Sequence, residues 1–206
     1  MKTIALVFLL FSISDAQNSY EVTPGVKGNQ IVLQLSNTSA SENVIDLNVK
    51  VTKRSDNIKF SQSEKRIENI EKGKEEEAVF EFAVSYNAKA NATDTVEFLI
   101  TNGKSVHQMK QFVLRYAAPT EYKLEQNFPN PFNPATVIRY QLPAKILATL
   151  KIFDVLGKEV SVLVNEENEA GFHQVEFNGA GLASGVYLYS LQAGSFIKTK
   201  KFILLK

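Results

Sequence analysis

The chain has no cysteine and no tryptophan among its 206 residues, and only two histidines. Without thiols there are no disulfides, no thiol catalysis, no cysteine-held metal and no lipid-modified cysteine of the bacterial lipoprotein kind. His107 and His173 fall in different halves of the sequence, so a zinc site of the usual His/Cys type is not expected. A charge of one sign is missing as well: 23 Lys and Arg face 22 Asp and Glu, a formal net charge of +1. Such a balance draws the chain neither to nucleic acid nor to an anionic membrane. No Gly-x-Ser-x-Gly turn occurs, and no third group joins a serine and a histidine in a recognisable order. No catalytic, cofactor-binding or metal-binding residue is assigned, no cofactor is expected, and the chain does not read as an enzyme.

Long apolar runs are scarce too. The one that matters stands at the start, in MKTIALVFLLFSISDAQ, where Lys2 precedes an apolar stretch from Ile4 to Ile13 and small residues occupy Ser14 and Ala16. That stretch is roughly half the ~20 residues a spanning helix needs. It has the three regions of a secretory signal peptide, so cleavage is expected between Ala16 and Gln17. The exported chain then begins near Gln17 and has no transmembrane segment.

What the sequence does contain is alternation. Ile31, Leu33 and Leu35 alternate with Val32, Gln34 and Ser36; Leu47, Val49 and Val51 alternate with Asn48, Lys50 and Thr52; Ala78, Phe80, Phe82 and Val84 alternate with Val79, Glu81 and Ala83. A period of two marks strands with one buried face. Val96 to Thr101 and Val106 to Tyr116 flank Asn102 and Gly103, which predicts a tight hairpin. Short strands at this spacing predict an immunoglobulin-like two-sheet sandwich over 17–117. Residues 118–121 lack pattern and read as a linker. Over 122–206 further strands are expected at Tyr122 to Gln126, Val137 to Leu142, Ala148 to Asp154, Lys158 to Asn165, Phe172 to Asn178, Val186 to Ala193 and Phe196 to Leu204. Gly157, Gly171, Gly179, Gly181, Gly185 and Gly194 stand at their joints, where left-handed backbone is expected. The fold class is therefore all-β: two immunoglobulin-like antiparallel β-sandwiches in tandem after a cleaved signal peptide.

Proline is sparse, yet half of the six prolines fall in Pro129, Pro131 and Pro134, within QNFPNPFNPATVIRYQLP. Proline fixes its own φ and biases the preceding residue toward extended backbone, so no helix crosses this stretch. It reads as a stiff domain entrance, with Phe128 and Phe132 expected to be buried anchors.

Four blocks in the second half carry more than a fold. FPNPFNPATVIRYQLP, KIFDVLGKEVSVLVNE, and AGFHQVEFNGAGLASGVYLYSLQAG followed by SFIKTKKFILLK closely resemble, in order and spacing, the type A C-terminal sorting domain of type IX secretion substrates of Bacteroidetes. Phe202 stands where that family usually has methionine, and Gly179 where it commonly has alanine. The residues matching the motif are Phe128, Pro129, Asn130, Pro131, Phe132, Asn133 and Pro134, then Asp154, Gly157, Gly171, Gly185, Tyr187, Gly194, Lys200 and Lys201. The resemblance implies passage through the periplasm, recognition by an outer-membrane translocon, action of a surface sorting protease, and secretion or display on the outer cell surface. In that family the passenger is in some cases joined to anionic lipopolysaccharide.

Recognition is expected at the last hairpin, where Lys198, Lys200, Lys201 and Lys206 crowd the final strand. The plainer reading is that these lysines guard a sheet edge. Glu166, Glu167 and Glu169 lack the alternating oxygen ligands of a Ca²⁺ loop and read as a loop face. The run from Glu71 to Glu77 reads as a solvated turn. Asn37-Thr38-Ser39, Asn91-Ala92-Thr93 and Asp94-Thr95-Val96 fit short glycosylation patterns. The first domain is expected to be a structural or adhesive passenger. A carbohydrate-binding or enzyme-accessory module is the alternative, and it would need Tyr20, Tyr86 and Tyr116 on one exposed face.

Overall fold

The structure, a computed structural model, describes residues 19–205 and the backbone of residues 3–8. The cleavage site expected at Ala16 and Gln17 lies outside the described residues, as does Lys206. Every regular element is a strand: β1 (Thr3–Phe8), β2 (Ser19–Val22), β3 (Asn29–Ser36), β4 (Val44–Lys53), β5 (Ile58–Phe60), β6 (Glu64–Ile70), β7 (Glu75–Val84), β8 (Thr93–Thr101), β9 (His107–Tyr116), β10 (Lys123–Leu124), β11 (Ala135–Leu142), β12 (Ile146–Phe153), β13 (Glu159–Asn168), β14 (Gly171–Asn178), β15 (Gly185–Ala193) and β16 (Phe196–Leu204). No helix among the described residues is long and apolar enough to cross a membrane.

The chain divides into two compact units. In the first, one sheet runs β1-β3-β7-β5 and the other β2-β9-β8-β4-β6. The alternating side chains read from the sequence form its core: Ile31, Leu33, Phe80 and Phe82 from one sheet meet Val49, Phe98, Phe112 and Leu114 from the other. Phe80 and Phe98 rings lie 4.9 Å apart across the layers. Alternation is what a sandwich requires, since each strand has one dry face and one wet face.

The second unit has a three-stranded sheet, β10-β11-β14, and a four-stranded sheet, β13-β12-β15-β16. Its core gathers Leu124, Ile138, Tyr140 and Phe177 against Leu150, Ile152, Tyr189, Phe202 and Leu204. Tyr86–Ala90, which lie between β7 and β8 in sequence, also belong to this unit. Tyr86 packs edge-on against Phe172, lies under the Arg139 guanidinium and donates to Glu125 at 3.2 Å.

Several details depart from the sequence reading. The β8–β9 connection is the wider loop 102–106, because the Asn102 carboxamide oxygen accepts from the N–H groups of Lys104 and Val106 and folds the loop around itself. The strand expected at Tyr122 to Gln126 shrinks to Lys123–Leu124. Of the joint glycines in the second unit, Gly157 (φ 80°) and Gly194 (φ 58°) are left-handed, whereas Gly171 and Gly185 open β14 and β15 in nearly extended backbone at φ 159°.

Candidate functional site

The motif residues converge on β16 and the stretch that precedes β11. Phe132 is 2 % exposed and its ring packs against Phe202 at 5.1 Å and Phe177 at 6.1 Å. Its backbone does as much as its ring. The Phe132 N–H donates to the Ile203 carbonyl at 3.0 Å, and the Phe132 carbonyl accepts from the Leu205 N–H at 2.9 Å. One step earlier, the Asn130 carboxamide oxygen accepts from the Ile203 N–H at 2.9 Å, and the Gln126 side-chain amide donates to the Lys201 carbonyl at 2.8 Å. The stiff stretch therefore lies along the outer edge of β16 and satisfies it from Lys201 to Leu205. The last part of the strand is not an open edge.

Phe128 behaves otherwise than expected. Its backbone forms a two-bond bridge with Val137, 3.0 Å in each direction, but its ring is 80 % exposed. Backbone pairing fixes where the residue sits, and the side chain of a bridge residue points out as readily as in. The buried residue beside it is Asn127. The Asn127 N–H donates to the Tyr189 hydroxyl at 2.9 Å, its side-chain NH₂ donates to Thr136 Oγ1 and to the Pro129 carbonyl, both at 3.0 Å, and its Oδ1 accepts from Gln126 at 2.7 Å. Thr136 in turn donates to the Pro129 carbonyl at 2.8 Å, and the Tyr189 hydroxyl donates to the Glu125 carbonyl at 2.9 Å. Burial pushes the Tyr189 hydroxyl up to about 12, against a small opposing pull from the Asn127 N–H. This network was not singled out from the sequence. The only signal for it was an asparagine ahead of Phe-Pro with a threonine after the last proline of the run, which reads equally well as turn chemistry.

Pro129, Pro131, Asn133 and Pro134 line the exposed side of the stretch, and the Pro134 carbonyl accepts from the Gly179 N–H at 2.8 Å. The peptide bonds before all three prolines are cis. Asp154 shapes the β12–β13 turn, its Oδ1 accepting from the Leu156 and Lys158 N–H groups at 2.9 and 3.0 Å. Leu156, at 90 % exposed, stands at the tip. Gly157 supplies the left-handed residue that this turn needs. Gly194 does the same for the β15–β16 hairpin, where an added Cβ would also lie 2.9 Å from Ile146. Tyr187 stacks on Phe202 at 5.6 Å and donates to the Ala183 carbonyl.

On the last hairpin, Lys198 and Lys200 share the parity of Phe202 and Leu204, while Lys201 points to the outer face with Ile203. Among the described residues none of the three lysines forms an ion pair. Lysines on the core-facing side of an edge strand are a known guard against further pairing, and they sit where the edge is not covered. The outer face carries Val186 opposite Ile203, both exposed, with exposed Leu205 following.

The remaining candidates are structural. Lys145 reaches Glu169 at 3.0 Å and Glu167 at 3.7 Å. His173 stacks on Tyr140 at 5.1 Å, with its Nε2 2.9 Å from the Glu169 carbonyl oxygen. Tyr116 is 1 % exposed and donates to Asp94, which also accepts from Ser55. With Tyr116 in the core and Tyr86 against Phe172, the three tyrosines do not form an exposed platform.

The family model described as a secretion system C-terminal sorting domain matches residues 126–205. Residues 126–205 are such a sorting domain. The matched segment takes in the whole of the stretch along β16, the Asp154 turn and the terminal hairpin. A sorting domain of this family is not catalytic; it engages the type IX secretion machinery and takes the chain through the periplasm to the cell surface or the medium. No curated protein matches the chain. Solved structures with loose likeness include the dimeric latent PorU of Porphyromonas gingivalis, at 13 % identity and a TM-score of 0.35, covering 94 % of this chain. The chain spans 19 % of that PorU chain. The E. coli chaperone DraB overlaps at 12 % identity and a TM-score of 0.35, over 93 % of this chain and 96 % of its own. The calcium binding domain CBD12 of CALX1.1 overlaps at 8 % identity and a TM-score of 0.36, over 84 % and 76 %. At these scores the overlaps carry no conclusion about what this chain binds.

Proposed function

We propose that the protein is a small non-enzymatic cargo: a signal peptide over 1–16, an immunoglobulin-like passenger over 17–117 with a structural or adhesive task, a linker over 118–121, and a folded address label over 122–206. The observation that supports the label most is the way Phe132 and Asn130 dock on Ile203 and Leu205. It ties the first and last motif blocks into one surface, so the label is read as a folded object. With the edge of β16 covered from Lys201 to Leu205, the translocon reads the outer face of the last hairpin, Val186, Ile203 and Leu205, together with Lys201. Apolar side chains flanked by a cation offer both burial and orientation to a partner.

The surface sorting protease acts afterwards, in the linker, and the freed passenger is either released or joined to anionic lipopolysaccharide. Deleting the chain from Val186 onward tests the division of labour. The signal peptide is still removed, and the truncated protein accumulates in the periplasm; its secretion at the parental level would refute the address-label reading.

A further inference from the structure

The first unit has an edge whose cover is temporary. β1 lies parallel to β3, with Thr3 beside Gln30 and Phe8 beside Leu35. β1 falls wholly within the segment expected to leave with the signal peptide. Once it leaves, β3 is the edge of its sheet, because its other side is taken by β7.

The exposed edge differs from the others among the described residues. β5 is three residues with Lys59 in the middle; β2 is short and holds Glu21; β6 carries Glu64, Lys65, Arg66 and Glu68. In the second unit β10 is two residues long, β14 contains Glu176, β13 has Glu159, Glu166 and Glu167, and β16 is lysine-rich and partly covered. β3 reads NQIVLQLS, eight residues with no charge and no proline. Charges, prolines and shortness are the devices that keep an edge from pairing, and β3 lacks all three.

We propose that after leader removal a second copy of the exported chain occupies this edge, β3 pairing antiparallel with the β3 of its partner about a two-fold axis at Val32. Backbone direction supports the register. Asn37, continuing β3, bonds toward the β7 side through both its N–H and its carbonyl. By the alternation of an antiparallel ladder, the odd-numbered residues face β7, and Gln30, Val32 and Gln34 turn their N–H and C=O groups to the open side. Centring the pair on Val32 sets Val32 against Val32 and each Gln30 against the partner's Gln34, one apolar pair flanked by two pairs of amides on one face. In these pairs Gln34 Nε2 donates to Glu75 of its own chain at 2.7 Å, and its Oε1 is left to accept from Gln30. Every other uncovered edge of a second copy would bring charge against an uncharged strand. An isologous pair closes at two chains, so the edge is consumed and no filament grows.

The inference rests on removal of the leader, which N-terminal sequencing of the exported chain decides independently of its association state. Sedimentation analysis tests the pairing itself. The chain beginning at Gln17 should show a monomer–dimer equilibrium, and the chain beginning at Met1 should be monomeric because its own β1 fills the edge. Val32→Lys and Val32→Glu place like charges opposite each other at the two-fold, so each variant should be monomeric, and mixing the two should restore the dimer. The restored heterodimer also shows that both variants are folded. A Gln17 chain that stays monomeric, a dimer that forms equally in both lengths or survives both substitutions, or assembly beyond two chains would overturn the proposal.

Discussion

Phe132 and Leu204 lie side by side in parallel register, the backbone of one joined to the residues on either side of the other. The relationship spans most of the sorting domain in sequence and closes it in space. It turns a proline-rich stretch, which forms no regular strand, into cover for the strand that ends the fold. Proline suits such a position. It donates no hydrogen bond and cannot extend the ladder to another chain, so the edge ends at the stretch.

The two phenylalanines of the stretch should therefore respond differently to truncation. Phe132→Ala removes a ring packed among Phe177, Phe202 and Leu204 and should destabilise the sorting domain by about 3 to 5 kcal/mol. Phe128→Ala removes an exposed ring and should leave the unfolding midpoint nearly unchanged, within about 0.5 kcal/mol. Urea titration of the full chain, followed through the tyrosines of the second unit, measures both. If secretion falls in Phe128→Ala without loss of stability, that ring contacts the translocon.

Asn127 should matter more than its place in an irregular stretch suggests. Asn127→Ala removes the side-chain bonds to Thr136 Oγ1, the Pro129 carbonyl and the Gln126 amide, while Thr136 still donates to the Pro129 carbonyl and Gln126 to the Lys201 carbonyl. A loss of about 0.5 to 1.5 kcal/mol is expected for each of these bonds. Thr136→Val should reproduce part of that loss, and the double variant should cost less than the sum, since the two side chains share one bond.

How much of this was legible beforehand follows from what alternation can and cannot carry. β3, β7, β11 and β15 were plain because each has one dry face, and a dry face writes itself into every second residue. β6 was not, because EKRIENI leaves only Ile67 and Ile70 as apolar marks, three apart, on an edge strand whose other side chains are solvated. Phe128 was misjudged for a related reason. In a stretch without regular dihedral angles no period links sequence position to direction, so two phenylalanines four apart can face opposite ways. The Asn127 network escaped because a buried asparagine and a turn asparagine are the same letter. Tyr86–Ala90 were read into the first domain, over 17–117, because they lie between two of its strands in sequence and share neither a strand nor a sequence block with the unit they pack in.

Alkali gives a separate handle on the sorting domain. Burial pushes the Tyr140 and Tyr189 hydroxyls up to about 12, from an ordinary value near 10; for Tyr140 the Glu166 carboxylate adds to the effect. Both groups are held neutral in the fold, so their contribution is fully present below pH 10 and is lost as pH rises toward 12. The melting temperature of the second unit should drop steeply over that window. In the double variant Tyr140→Phe with Tyr189→Phe the drop should be shallower, from a lower starting point because the hydroxyl bonds to Asn168, Glu125 and Asn127 are gone.

The central claim is that residues 118–206 alone address the chain to the exterior. The most direct measurement is to place residues 118–206 behind an unrelated soluble reporter with its own signal peptide, in a host with type IX secretion, and to quantify the reporter in the periplasm, on the cell surface and in the medium. The account predicts that most of the reporter leaves the periplasm, and that Val186→Asp with Ile203→Asp, two changes on the outer face of the last hairpin, holds it back while the domain still melts cooperatively. A reporter that remains soluble, intact and periplasmic with the unaltered 118–206 attached would contradict it.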